Sequence, residues 1–137
     1  MRAVTIWDKE SLPGGGHILS FDLVDLLALL ENDLAESVWT VVDVEEVIGV
    51  SAPSFYEAHE TGQKLSGSAL LQLAERCDQV CGGNFRGELD GEFWVRLLAC
   101  RSTEWAVVSE DSALFDRIEG RFSDVRPSPE DAIQNGA

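Results

Sequence analysis

Basic residues are scarce: the 137-residue chain has 10 Lys and Arg against 25 Asp and Glu, a formal charge of −15 at neutral pH. From Glu10 to Gln63 there is no Lys or Arg at all. A chain of this sign is repelled by a nucleic-acid backbone and has no basic patch for counterion release, so no direct nucleic-acid binding is expected. Anionic membrane surfaces are disfavoured for the same reason. Long apolar runs are missing too, and nothing approaches the roughly 18 consecutive apolar residues of a membrane span. The opening MRAVTIWDKE has no continuous apolar segment ahead of a small-residue cleavage site, so no export signal is expected. Only three cysteines occur, an odd count that points to reduced thiols and a cytoplasmic setting.

Catalytic and cofactor signatures are also lacking, and neither a catalytic residue nor a cofactor is assigned. His59-Glu60 begins like a zinc-protease helix, but Gln63 stands where the second His belongs. Gly14–Gly16 and the 62–67 segment GQKLSG both lack the Lys-Ser/Thr of a phosphate loop. No Gly-x-Ser-x-Gly elbow is present. Cys77 and Cys81 are four residues apart, whereas structural zinc knuckles use a tighter gap and four ligands. They read better as small hydrophobes on a helix face, and no metal site is expected.

What is present is a globular mixture, 45% apolar and 26% charged, of a length that suits one domain. A first strand is expected at Ala3–Trp7, then a loop through Leu12–His17. Ser20 reads as the cap of a helix over 21–36, with Leu23, Leu27, Leu30 and Leu34 in one wide stripe. Val38–Val44 alternates as a strand, with Val38, Thr40, Val42 and Val44 on one side. Residues 45–65 look irregular, with one helical turn open to Ser54–His59. A second helix, capped by Ser66 or Ser68, runs to about Val80 and is stopped by Gly82-Gly83. An antiparallel meander follows: Asn84–Leu89, an Asp90-Gly91 turn, Glu92–Arg101, then Glu104–Ser109. Phe93, Val95, Leu97 and Ala99 share one face of it; Trp94, Arg96, Leu98 and Cys100 share the other. Asp111-Ser112 opens a third helix that buries Leu114, Phe115, Ile118 and Phe122.

The expected fold is therefore α+β, in the order β-α-β-α-β-β-β-α. About five strands form an antiparallel or mixed sheet, with three helices mainly on one face. The domain covers 1–126, and 127–137 reads as a loose tail.

The candidate functional residues follow the charge. Asp22, Asp25, Glu31, Asp33, Glu36, Asp43, Glu45, Glu46, Glu57 and Glu60 have no local base to neutralise them. Together they would form an acidic face for a basic protein, as in a small inhibitor or nucleic-acid mimic. The same letters also suit a merely solubilising surface. Two other readings stand beside this one. Tyr56, His59, Trp94 and Arg96 would line a helix–sheet pocket of a small enzyme or ligand-binding domain. The leucine stripe of 21–36 would make a homodimer if it were self-complementary.

Overall fold

The computed structural model describes residues 1–30 and 32–128. The strands are β1 (Arg2–Ile6), β2 (Lys9–Ser11), β3 (His17–Leu19), β4 (Val38–Gly49), β5 (Leu65–Ser66), β6 (Cys77–Leu89), β7 (Glu92–Cys100), β8 (Glu104–Ser109) and β9 (Val125–Ser128). The helices are α1 (Leu23–Ala28), α2 (Asp33–Glu36), α3 (Ala52–Thr61), α4 (Gly67–Glu75) and α5 (Ser112–Arg121). The class is α+β, as the pattern implied, with nine strands and five helices among the described residues rather than five and three. Seven strands pair antiparallel in the order β5-β4-β6-β7-β8-β1-β9, and β2 and β3 form a separate hairpin. No described helix is long and apolar enough to cross a membrane.

The helices feed one core. Leu23, Leu26, Leu27, Leu30, Phe55, Leu70, Phe115 and Ile118 join Ile6, Trp39, Phe85, Val95 and Trp105 from the sheet in a single cluster. A second, much smaller cluster of Ala3, Leu98, Ala106 and Val108 lies apart from it, with Cys100 packed against it. Alternation along β7 and β8 puts that set on the opposite side of the sheet.

The differences from expectation each have a local cause. The single helix over 21–36 is two short ones, because Arg117 of α5 donates its Nε–H to Leu29 O at 2.7 Å. That carbonyl is drawn out of the helical ladder, and Leu29 and Leu30 close tighter bonds to Leu26 and Leu27. Asp22 rather than Ser20 is the cap, in a capping box with Asp25. The glycine-rich loop is only the turn of the β2–β3 hairpin. Residues 45–65, read as irregular apart from one turn at Ser54–His59, hold the end of β4, the whole of α3, which extends that turn to both sides, and the start of β5.

The second helix does start at Ser66, whose Oγ accepts from Ala69 N, but it ends at Glu75. Cys77–Val80 instead pair with Val47–Gly49 of β4, so Cys77 and Cys81 lie on a strand. Gly82 and Gly83 sit within that strand. A Cβ on Gly82 would come 2.9 Å from a Glu45 carboxylate oxygen, and one on Gly83 would come 2.9 Å from the Phe85 ring. Close approach, not helix termination, is their use.

Bulges reset the faces. In β4 the register slips between Val41 and Asp43, so Val44 and Val47 point inward with Trp39 and Val41, while Val42 is exposed. In β7 the register passes from Gly87↔Val95 to Glu88↔Phe93, leaving Trp94 as the extra residue. Trp94 therefore packs on Trp39, edge-on at 6.4 Å, and faces the core rather than sharing a side with Arg96. Asp90-Gly91 turns as the dipeptide suggests, with φ of 56° and 79°. At the far edge, Pro127 and Ser128, read as tail, belong to β9. A proline with no N–H suits an edge strand. The rest of the tail lies outside the described residues.

Where α2, β4 and α4 meet, Ser37 Oγ donates to Leu34 O and accepts from Trp39 Nε1. Gly67 is wedged beside them, and a Cβ there would stand 1.8 Å from Leu34 O. Gly67→Ala is expected to cost roughly 3 kcal/mol or more by overpacking, seen as a lower urea midpoint. An unchanged midpoint would contradict this packing.

Candidate functional site

The acidic residues are carried by several elements. Asp33 and Glu36 are exposed on α2, and Glu60 is exposed on α3. Glu57 lines a cavity of about 610 Å³ between α3 and α4, together with Glu75 and Arg76. Asp43 and Glu45 join Glu104 and Arg101 around a smaller hollow of about 200 Å³ over β4, β6 and β7. Partial burial raises the Cys81 thiol's pKa, a hydrogen bond with Ser102 opposes that rise, and the nearby Glu46 adds to it. Glu31 lies outside the described residues.

Asp22 and Asp25 belong to an acidic groove of about 310 Å³ bounded by the β2–β3 hairpin, the start of α1 and the beginning of β6. Glu10 and Asp78 complete it. Neither was singled out for this role, because each lies far in sequence from Asp22 and only the hairpin and β6 bring them together. Four carboxylates thus share one groove, and the nearby base is Arg121, 3.8 Å from Asp25. Ile18, 41% exposed, supplies an apolar lip from the hairpin.

Asp22 is the pivot of this groove. One carboxylate oxygen accepts from Leu23 N at 2.8 Å and the other from Val80 N at 2.9 Å, tying α1 to β6. Asp25 Oδ2 accepts from Asp22 N at 2.9 Å. Burial raises the Asp22 pKa above its ordinary 3.8, the two backbone donors oppose that rise, and the neighbouring Asp25 charge adds to it.

The alternative pocket is not assembled. Tyr56 accepts through its hydroxyl from Val47 N at 3.1 Å, and His59 Nδ1 lies 3.4 Å from Val41 O. Both side chains therefore reach the β4 backbone on the side where β5 pairs only with Val38 and Trp39. Their role there is to satisfy an open strand edge. His59 Nε2 is 3.9 Å from Asp43, too far for a hydrogen bond. Trp94 donates to Asp111 at 3.3 Å on the helix side, whereas Arg96 lies on the opposite face of the sheet.

The thiols are not activated. Burial, with the nearby Asp22 and Asp78 charges, pushes Cys77 up to about 11, and burial raises Cys100 as well. Among the described residues no group of three or more His, Cys, Asp or Glu is placed to hold a metal ion. The chain matches no family model, no curated protein and no solved structure.

Because the Asp22 pKa is raised in the folded state, its proton stabilises the fold most below the ordinary value of 3.8. That contribution fades as pH rises through the raised value. Asp22→Ala, which removes the cap and leaves Val80 N–H without its acceptor, is expected to cost about 1–2 kcal/mol near neutrality. The penalty should grow as pH falls from 7 towards the ordinary carboxylate range. Urea titrations at several pH values check this, and a penalty that shrinks with acid contradicts it.

Proposed function

We propose that this protein is a non-enzymatic binding module that receives a cationic segment of a protein partner in the groove between the β2–β3 hairpin and β6. The observation that carries the reading is the convergence of Glu10, Asp22, Asp25 and Asp78 on one concavity. Their mutual repulsion is relieved when a Lys or Arg side chain enters. Ile18 beside them gives the partner's aliphatic stem an apolar surface, since long basic side chains bury their stems along such patches. A carboxylate groove of this kind steers a basic protein towards itself and suits an inhibitor that occupies a phosphate-binding surface.

The reading is narrower than an acidic face spanning residues 22–60. A homodimer built on the leucine stripe is less well supported, because Leu23, Leu26, Leu27, Leu30 and Leu34 are all buried in the chain's own core. The α3–α4 cavity, about 610 Å³, is roomy enough for a small molecule, but it contains none of Tyr56, His59, Trp94 or Arg96.

Fluorescence anisotropy with a labelled lysine-rich peptide tests the groove. Glu10→Gln with Asp78→Asn should weaken binding by roughly tenfold, a change of about 1.4 kcal/mol. Asp33→Asn with Glu36→Gln, on α2, should leave it nearly unchanged. Affinity should fall steeply between low and physiological salt. Equal losses from the two double variants would show a diffuse charge effect and remove the case for the groove.

A further inference from the structure

A sheet face with no helix over it is ordinarily polar, yet Ala3, Leu98, Ala106 and Val108 are each no more than 5% exposed on the side away from the helices. Beside them lies a depression of about 200 Å³, lined by Val108, Phe93, Met1, Arg86 and Arg96. Carboxylates line the groove, the α3–α4 cavity and the hollow at Asp43, but none lines this depression.

Its chemistry runs against the rest of the molecule. Arg86 and Arg96 are directly opposed in the β6–β7 register, an arrangement that like charges disfavour. Arg86 is partly compensated by Glu88 at 3.5 Å and lies 5.3 Å from the Phe93 ring centroid. Glu88 is itself shared with Lys64 at 2.9 Å. Arg96 has no such compensation among the described residues, and its Nε is shut off from solvent without a hydrogen-bond partner. The other buried side-chain atom left without a partner is Asn84 Oδ1. That atom is an acceptor and lines the hollow at Asp43, so it takes no part in this depression. Two opposed guanidiniums at one depression whose lining holds no carboxylate present donors that an oxyanion suits.

We infer that the open face of the sheet carries a binding site for a small carboxylate with an apolar ring, its oxygens held by Arg96 and Arg86 and its ring lying against Phe93 and Val108. The guanidinium forks match a planar carboxylate. The apolar wall distinguishes such a ligand from a bare phosphate, which would leave Phe93 and Val108 unused. Size agrees, since a cavity of about 150 Å³ holds a benzene ring. The site does not depend on the acidic groove, and either can fail alone.

Benzoate is the probe, titrated into the isotopically labelled full chain, with acetate and inorganic phosphate in parallel. Saturable shifts of the Arg86 and Arg96 Nε–Hε resonances and of the Phe93 amide are expected, with acetate binding more weakly. Arg96→Met should weaken benzoate by at least about tenfold, and Arg76→Met, at the end of α4, should leave it unchanged. Benzoate should also raise the melting temperature of the native chain but not of Arg96→Met. Arg96→Lys keeps a charge at the position but loses the fork, and should show the same loss if the methionine variant does not fold. The inference is overturned by absence of a saturable shift, by native-like affinity in a folded Arg96 variant, or by phosphate binding as tightly as benzoate.

Discussion

The packing of helices onto one side of a wide antiparallel sheet is the constraint on which this molecule rests. The helices all pack against the side that carries Trp39, Phe85, Trp94 and Trp105, and those rings pack on one another. Phe85 stacks on Trp105 at 6.2 Å and meets Phe55 of α3 edge-on at 6.0 Å. Gly87 leaves room for the Trp39 indole, since a Cβ there would stand 2.8 Å from it. Strict alternation would have sent Trp94 and Val44 to the other side. The bulges in β7 and β4 return both to the core, which is how strands of 9 and 12 residues remain compatible with a single buried layer.

Much of the fold was legible wherever local chemistry and tertiary placement agree. The Asp90-Gly91 turn, β8, the Asp111 cap and the buried stripe of α5 all announce themselves within a few residues. So does the α+β class. What could not be read depends on partners distant in the chain. Arg117 breaks the first helix from 88 residues away. The β4 pairing turns Cys77–Val80 from apparent helix to strand, and the bulges shift phase without a sequence mark. The same limit applied to the site. Asp22 and Asp25 were visible as unneutralised charge, but their companions Glu10 and Asp78 are collected only by the finished fold.

Charge of both signs reaches the helix-free side of the sheet. Within the base-free stretch Asp25 has Arg121 at 3.8 Å, while Glu45 lines a hollow that Arg101 also lines and Glu57 a cavity that Arg76 also lines. Two bases instead face each other on the helix-free side. A net-negative chain therefore presents surfaces of both signs, with the anionic groove by α1 and the cationic depression between β6 and β7.

The position of β1 has a consequence for how the chain is made. This first strand lies between β8 and β9, the last two in sequence, and pairs with both. During synthesis, Ala3, Val4 and Ile6 wait without their neighbours until β8 and β9 have emerged. Closure is then a long-range event of the slow kind that high contact order imposes. Until that moment β1 is an unpaired apolar strand, open to capture by a chaperone or to mispairing with another chain.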